Sequence, residues 1–354
     1  MSPRIRIKDI AERAGVSVGT VDRIIHKRPN VSKKSREKVE KALQEMEYKP
    51  NVYASALAYN KHFTFAVFMP HHETEAYWDE IEEGANKAEE KHADFHVNLR
   101  YVYYTRFNDT DFKESCQQCL DMEPDGVVIV PSSLELTRTF TDKLHERNIP
   151  FVLLDSYMPD LRPLAFFGQD SFCSGYFAAR MLMMEASKEK EIMLMRHVHN
   201  GRLTSKQQAN REVGFRHYML DHFPEITITE LNISTDIPKR RYKDVLTEFF
   251  AAHPDIHHCI TLNSKAHIIG EYLLQNNRRD IQVSGYDMVP RNAECLRQGS
   301  ALFIIAQHGF QQGFSCVDAL FKAVVLKQKV EPVNYMPIEY LTKENCEFYR
   351  RTQM

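Results

Sequence analysis

Apolar residues recur at helical spacing in three short segments at the start of the chain, between residues 7 and 46. The first segment ends at Gly15, the second lies between Ser17 and Pro29, and the third follows Ser32. A serine at such a boundary caps a helix, because its side-chain oxygen accepts a hydrogen bond from a free backbone N–H. The apolar positions are Ile7, Ile10, Ala11, Ala14, Val18, Val21, Ile24, Ile25, Val39, Leu43 and Met46. The pattern predicts three helices, the first two forming a helix-turn-helix whose second helix fits a DNA major groove.

From residue 63 onward, short apolar strands alternate with amphipathic helices. Strands are predicted at 63–69, 95–104, 126–130, 151–154, 192–195, 226–233, 259–262 and 282–286. Helices are predicted at 81–90, 112–120, 136–144, 172–184, 213–220, 242–251 and 266–274. This alternation is typical of βαβ units and a parallel sheet that is buried on both faces. Because the rhythm runs twice, it predicts two open α/β lobes, with a ligand site between them at the carboxyl ends of the strands.

The charge distribution separates the two parts of the chain. Residues 1–61 contain 14 Lys and Arg against 7 Asp and Glu, a net charge of +7, whereas the remainder carries −9. A basic segment suits DNA, because its cations displace counterions from the phosphates. A small helical bundle with ordinary surface lysines has the same charge. The interpretation as a DNA-binding domain therefore depends on the spacing of Gly15, Ser17, Thr20 and Arg23.

The segments AGVSVGTVDRII, PNVS and YKPNVYASALA resemble the DNA-binding end of the LacI/GalR family of bacterial repressors. The resemblance implies that Arg23 reads bases and that Ser17 and Thr20 hold phosphates. The two positions at which the family selects its operators are Val18 and Gly19, so apolar contact or none is expected there. Two residues depart from the family pattern: Asp22 replaces Ser, and Glu47 replaces Gly. Asp22 either repels phosphate or accepts a hydrogen bond from cytosine.

The same resemblance implies a hinge helix. It divides the chain into a DNA-binding domain at 1–50, a hinge at 51–61 and an effector-binding and dimerisation domain at 62–354. Leu57 matches the leucine that is wedged between base pairs in the minor groove, a device that kinks the duplex. A plain linker is the alternative interpretation of this segment.

The body resembles the type I periplasmic binding protein fold, from about Phe63 to Tyr340. That fold implies three crossings of the chain between the lobes, which we place near residues 185, 300 and 336. It also implies a set of effector-binding residues, namely Tyr77, Trp78, Asp170, Arg211, Asn263, Asp287 and Gln307. Planar polar side chains and an aromatic face suit a sugar, because they pair with vicinal hydroxyls and cover the C–H surface of the ring.

Structural roles remain open for several of these residues. Tyr77 and Trp78 have the pattern of core aromatic residues at a helix start as well as that of a sugar platform. Asp170 stands where a helix N-cap is expected, and capping and binding can be shared. A surface salt bridge is the alternative role for Arg211. Ser264 follows Asn263 where the family has Asp, which weakens that motif.

Composition and motifs exclude several function classes. The N-terminus is charged from Arg4 and does not resemble a signal peptide, and no apolar run approaches the ~20 residues that span a bilayer. We therefore expect a cytoplasmic protein without a membrane partner. The seven cysteines include a CxxC at Cys116 and Cys119, but neither they nor the sixteen histidines have metal-ligand spacing, so no metal or cofactor is expected. No nucleophile–base motif is present, which argues against an enzyme.

Together these observations predict an α plus α/β chain, with an N-terminal helix-turn-helix and a two-lobed sensor of the periplasmic-binding-protein type. The predicted function is that of a homodimeric repressor that binds double-stranded, pseudo-palindromic operator DNA. A small-molecule effector, expected to be a sugar, controls its operator affinity allosterically. Three alternatives remain: a solute-binding protein for a sugar without a DNA-linked function, a regulator with a nucleoside or anionic effector, and a sugar-modifying enzyme.

Overall fold

The computed structural model describes residues 5–25, 29–46, 61–74 and 76–351. The chain divides into two compact units, residues 1–60 and residues 61–354. No helix within the described ranges is long and apolar enough to cross a membrane.

The first unit contains three helices: α1 (Ile7–Ala14), α2 (Val18–Ile25) and α3 (Lys33–Glu45). Helix α1 ends at Gly15, which adopts a left-handed conformation (φ 65°) and whose N–H contacts the carbonyl oxygens of the last turn. Such a C-cap favours glycine, because a Cβ is disfavoured at positive φ. The apolar positions predicted from the sequence form one core, in which Ile10 and Val39 are fully buried.

The first lobe of the second unit is built on a six-stranded parallel sheet of order β12-β5-β4-β3-β1-β2. Its strands are β1 (Phe63–Pro70), β2 (Val97–Tyr104), β3 (Gly126–Ile129), β4 (Phe151–Leu154), β5 (Ala165–Gly168) and β12 (Val333–Tyr335). Its helices are α4 (Tyr77–Lys91), α5 (Asp109–Asp121), α6 (Leu134–Glu146) and, far along the chain, α12 (Gly309–Leu320). The central strands are buried on both faces, as expected for a parallel sheet covered by helices.

The second lobe repeats this plan around a sheet of order β13-β11-β10-β9-β6-β7, with β8 paired to β6. Its strands are β6 (Glu191–His199), β7 (Arg202–Leu203), β8 (Thr227–Ser234), β9 (His258–Thr261), β10 (Gln282–Tyr286), β11 (Ala301–Ala306) and β13 (Glu339–Leu341). Its helices are α7 (Ser171–Ala186), α8 (Lys206–His222), α9 (Tyr242–Ala252), α10 (Ala266–Gln275) and α11 (Pro290–Arg297). A last helix, α13 (Cys346–Arg351), follows β13. Only β7 and β13 run antiparallel to their neighbours within this sheet.

Two of the three predicted lobe crossings are wrong. The first crossing lies at residues 169–170 rather than near 185, because α7 packs its buried face in the second lobe, against Ile192 and Phe215. The second lies at 307–308 rather than near 300, because β11 belongs to the second sheet and α12 packs on α4 in the first lobe. The third, predicted near 336, lies between β12 and β13 as expected.

Two helix pairs touch backbone to backbone through glycine. A Cβ built on Gly175 of α7 would collide with the Arg211 carbonyl group of α8, and one on Gly214 of α8 would collide with the Phe172 carbonyl group. The pair α4–α12 in the first lobe has the same arrangement at Gly84 and Gly313. These close approaches fix the position of α8, which carries a predicted site residue.

The CxxC lies on the inner face of α5. Cys116 and Cys119 are buried in the first-lobe core beside Phe112, and burial raises the pKa of both thiols to about 12. Such thiols are protonated and unreactive at neutral pH. Both residues are therefore ordinary reduced cysteines of the first-lobe core.

Candidate functional site

Five of the six predicted DNA-binding residues lie in α2 or directly before it, namely Ser17, Val18, Gly19, Thr20 and Arg23. Val21 and Ile24 face the core, whereas Val18, Gly19 and Arg23 are exposed on the outer side. Val18 is 51% exposed, which is high for a valine in a helix. Outward-facing side chains on the second helix of a helix-turn-helix are the ones that reach base edges.

The N-terminus of α2 is organised by hydroxyl groups. The backbone N–H of Thr20 donates to Oγ of Ser17 at 3.2 Å, so Ser17 caps the helix as the sequence predicts. The two hydroxyl oxygens lie 2.9 Å apart. A helix N-terminus with exposed hydroxyl donors is suited to hold a phosphate. Leu57 and residues 51–60 of the predicted hinge lie outside the described residues.

A cleft of about 730 Å³ lies between the two lobes of the second unit. Six of the seven predicted effector residues line it: Tyr77, Trp78, Arg211, Asn263, Asp287 and Gln307. They come from α4, α8 and the loops that follow β9, β10 and β11. The carboxyl ends of parallel strands therefore meet at this cleft, as the α/β architecture requires.

Three of these residues form a buried chain of hydrogen bonds. The Nε2 group of Gln307 donates to Oδ1 of Asp287 at 2.7 Å, and the guanidinium of Arg211 donates to Oε1 of Gln307. Arg211 also donates to the Leu262 carbonyl oxygen at 3.1 Å, and its guanidinium carbon lies 4.0 Å from the centre of the Tyr286 ring. The amide of Gln307 thus bridges the carboxylate of Asp287 and the guanidinium of Arg211, and it orients both toward the cleft.

Asp287 has a counterpart in the first lobe that the sequence reading missed. Asp155 follows β4 directly, as Asp287 follows β10, and both have left-handed backbones (φ 70° and 68°). Each backbone N–H donates to the adjacent strand, at Phe167 and Ile305 respectively. Burial raises the pKa of both carboxyl groups, that of Asp287 to about 6. The two acids therefore face the cleft from equivalent positions of the two sheets, and aspartate at positive φ is frequent at such functional strand ends.

Two polar atoms at the cleft lack partners within the described part of the chain. The Tyr77 hydroxyl group and Nε of Arg211 are fully enclosed, in residues that are only 7% and 2% exposed. A buried polar group without a hydrogen bond costs roughly 1–3 kcal/mol, so a ligand that bonds to these atoms recovers that energy. Trp78 packs edge-on against Tyr77, with ring centres 5.1 Å apart, and adds an aromatic wall.

Asn263 is held by its own loop. Its Oδ1 accepts hydrogen bonds from Thr261 and from the backbone of Lys265, and its amide donates to Oε1 of Gln208 at 2.7 Å. These bonds use most of its capacity, so Asn263 shapes the loop after β9 as well as lining the cleft.

The structure does not bring Asp170 into this cleft. Its carboxylate caps α7 by accepting from the backbone N–H of Cys173 at 2.9 Å. It lines a separate pocket of about 180 Å³ beside Gln169 and Tyr335. The expectation that Asp170 converges with the other residues is wrong, and the alternative role as a helix N-cap is the one observed. The resemblance located the loop correctly, but the crossing at 169–170 turns this side chain away.

Several cleft residues were not predicted. Besides Asp155 they include Arg106, His197, Gln207, Lys239 and Lys265. Arg106 and Lys265 each lie shortly after the end of a strand, where this architecture places ligand-binding residues. Gln207 lies at the start of α8, which was predicted to begin seven residues later than it does. The buried positions of its first two turns are polar, namely Gln207, Gln208, Arg211 and Glu212, and this hides the apolar periodicity of a helix.

Comparisons with known proteins agree with this architecture. Residues 6–51 match the model of the bacterial regulatory proteins of the lacI family, and residues 65–328 match a periplasmic binding protein domain. A protein from Bacteroides fragilis assigned as a LacI transcriptional regulator is 42% identical, with a TM-score of 0.79, over 82% of this chain and 100% of that one. The glucose-galactose binding protein GanP of Geobacillus stearothermophilus is 20% identical, with a TM-score of 0.69, over 81% of this chain and 99% of that one, and shares the fold.

Among curated proteins, the HTH-type transcriptional repressor PurR of Pasteurella multocida is 27% identical over 59% of this chain and 59% of its own length. The chain spans about half the length of the curated relatives it matches. The helix-turn-helix, the two-lobed body and the long match to the Bacteroides protein lead to one assignment. This chain belongs to the lacI family of bacterial regulatory proteins and carries a sensor domain of the periplasmic-binding-protein type.

Proposed function

We propose that the protein is a DNA-binding transcriptional repressor whose operator affinity is controlled by a small polar effector bound between the lobes of the second unit. The DNA-binding surface is the outer face of α2, with Arg23 directed at a base and Ser17 and Thr20 at phosphates. The effector, a polyhydroxylated molecule of the sugar class, binds to Tyr77, Trp78, Arg211, Asn263, Asp287 and Gln307. As a regulator of genes it acts in the cytoplasm.

The observation that carries this proposal is the buried chain of hydrogen bonds from Arg211 through Gln307 to Asp287, which leaves hydrogen-bonding groups unused at the cleft. Arg211 retains a free Nε, Asp287 retains one carboxylate oxygen, and Tyr77 retains its hydroxyl group. Donors and acceptors fixed side by side match vicinal hydroxyl groups, each of which donates and accepts. An apolar ligand would leave all three groups unsatisfied.

The proposal includes a homodimer on a pseudo-palindromic operator, because a two-fold symmetric protein reads two half-sites. It also retains the division at 1–50, 51–61 and 62–354, with Leu57 as a minor-groove wedge. For these features the support is the sequence resemblance alone. A solute-binding protein without a DNA-linked function is disfavoured, because its ligand would need no helix-turn-helix. A nucleoside is disfavoured by the paired acids, which suit hydroxyl groups better than a heterocycle.

Selection of DNA from a random pool by the full-length protein tests the DNA half of the proposal. Recovery of an inverted repeat whose binding is weakened by Arg23→Ala supports it. Arg180→Ala, which removes an exposed arginine from α7 in the second unit, is the matched control. Recovery of no preferred sequence would refute a specific regulator.

Titration calorimetry with D-glucose, D-galactose, D-ribose and their acidic derivatives tests the effector half. A binder should lose affinity by about 1–3 kcal/mol in Asp287→Ala, since a ligand hydroxyl is left without its acceptor. A ligand that binds the variant as tightly as the parent would contradict this assignment of the pocket.

A further inference from the structure

One side of the interlobe cleft is distinctly basic. Four side chains form this basic corner: Arg106 after β2, His197 in β6, Lys239 before α9, and Lys265 before α10. It borders the Asp287 side of the cleft, since Lys265 and Asp287 act electrostatically on each other. Carboxylates are also present here, so the ion pairs decide which cations remain free.

Two carboxylates on this side are already paired. Nζ of Lys239 lies 2.7 Å from Oε1 of Glu73, and Arg291 donates from Nε to Oε1 of Glu271 at 2.6 Å. Neither pair involves the ammonium of Lys265 or the guanidinium of Arg106. Among the described residues, neither the ammonium of Lys265 nor the guanidinium of Arg106 forms an ion pair or a hydrogen bond, and the Arg106 guanidinium lies 5.1 Å from the centre of the Trp78 ring.

These unpaired cations are also partly withdrawn from solvent. Both are half-buried. Burial lowers the pKa of Lys265, the Glu73 carboxylate partly opposes this shift, and the neighbouring cations Lys239, Arg291 and Arg106 add to it. Burial, together with Lys265, Arg106 and Lys239, lowers the pKa of His197 to about 4, so this ring is neutral at physiological pH. A cluster of cations that repel one another in a partly desolvated site is costly, and an anion relieves that cost.

The two acids of the cleft provide only part of this relief, because Lys265 acts on Asp287 and Arg106 acts on Asp155 without forming an ion pair. Asp287 is committed to Gln307, and its raised pKa reflects burial rather than a partner cation. Asp155 accepts from the hydroxyl group of Ser156 at 3.2 Å, and no described cation forms an ion pair with it. The cleft therefore has an acceptor-rich side suited to hydroxyl groups and a basic corner with unused positive charge.

We propose that the natural effector is an anionic sugar, with its hydroxyl groups at Asp287, Arg211 and Tyr77 and its carboxylate or phosphate group at Lys265 and Arg106. This rests on the proposed function and narrows its ligand class from polyols in general to sugar acids or sugar phosphates. Lys265 supplies a point charge, whereas the planar guanidinium of Arg106 offers parallel donors that fit both oxyanions. His197 is neutral and contributes a hydrogen bond rather than charge.

Matched ligand sets test the inference by calorimetry on the full-length protein. The sets are D-glucose, D-glucuronate and D-glucose 6-phosphate, and D-galactose, D-galacturonate and D-galactose 6-phosphate. At least one anionic member should bind ten-fold or more tightly than its neutral parent, with the preference decreasing as salt rises. If the uronate binds best, the basic corner accepts a carboxylate group, and if the 6-phosphate binds best, it accepts a phosphate group.

Variants locate the anion. Lys265→Gln and Arg106→Gln should each reduce the anionic preference to three-fold or less, whereas Lys265→Arg should retain part of it. Lys188→Gln, which removes an exposed lysine away from the cleft, should leave it unchanged. Circular dichroism of each variant verifies that the fold is intact.

The two levels of the proposal fail differently. Neutral sugars that bind as tightly as their anionic forms, or a preference that survives both Gln variants, would overturn the anionic effector and leave the polyol proposal standing. Failure of every anionic member to bind would also overturn it. Failure of all six ligands to bind would count against the sugar-class effector itself.

Discussion

The two candidate functional surfaces of this protein are built in opposite ways. On α2 the candidate residues are exposed and make few contacts beyond their own helix. In the cleft, Arg211, Gln307 and Asp287 are buried and bonded to one another across long stretches of sequence. The first surface therefore depends on residues of a single helix, whereas the second depends on contacts that form only when the domain folds. Truncation of an exposed α2 side chain such as Arg23 should affect binding with little change in stability, whereas substitutions in the cleft should affect both.

The largest effect is expected at the helix contact that supports Arg211. Gly175→Ala places a methyl group against the Arg211 carbonyl group, so α7 and α8 must move apart. We expect a loss of roughly 2–4 kcal/mol in the free energy of unfolding, measured by urea titration. Arg180→Ala, at an exposed position of the same helix, should change it by less than about 0.5 kcal/mol. Equal effects of the two substitutions would show that the helices do not touch as described.

A pH-dependent effect of slightly smaller size is expected at Asp287. Its folded pKa of about 6 exceeds the usual value of 3.8, so the folded state binds more protons than the unfolded state between these values. Its contribution to stability is therefore lost as pH rises through that window, by roughly 2–3 kcal/mol at most. Neighbouring groups also act on the pKa of this carboxyl group: Arg211, Gln307 and Lys265 lower it, and Asp155 raises it. The rise to about 6 is the net result of these effects and of burial.

The difference between Asp287→Asn and the parent isolates this contribution from other titrating groups. Asparagine does not titrate, so the stability of the variant relative to the parent should increase from about pH 4 to about pH 7. Urea titrations across that range measure it. A difference that stays constant with pH would show that Asp287 ionises at its usual pKa.

On α2, Arg23→Ala should reduce DNA affinity by about 1–3 kcal/mol and relax the preference at one base position. The free energy of unfolding should remain nearly unchanged, because the side chain is exposed. Fluorescence anisotropy with single-base variants of the selected DNA measures both the affinity and the preference. Undiminished affinity and preference would remove Arg23 from the interface.

The smallest effect is expected at Gly19. No atom lies within 4 Å of a Cβ built at this position, so Gly19→Ala fits without displacement. Alanine favours a helix over glycine by up to about 1 kcal/mol, so the first unit should become slightly more stable. Thermal unfolding followed by calorimetry tests this. Destabilisation would indicate that the outer side of α2 is packed against other residues and is not exposed.

The contrast also explains what the sequence could predict. Local periodicity and capping predicted the three helices of the first unit, and apolar runs predicted the central strands. Each of these sequence patterns lies within a single helix or strand. The cleft was predicted in part, since Asp287 and Gln307 lie in motifs that resemble a known family. Asp155 and Lys265 were not predicted as site residues, because no motif marks them and only folding of the sheets brings them beside Asp287. Asp170 was misplaced because the direction of a side chain at a crossing depends on which lobe the next helix joins.

The central claim is that the cleft controls the DNA affinity of α2. Fluorescence anisotropy with the selected DNA, with and without a sugar that calorimetry shows to bind, tests it directly. The account predicts a change of at least five-fold in the DNA dissociation constant, and an equal reciprocal change in sugar affinity when DNA is bound. A sugar that occupies the cleft, loses affinity in Asp287→Ala and yet leaves the DNA dissociation constant unchanged would contradict it.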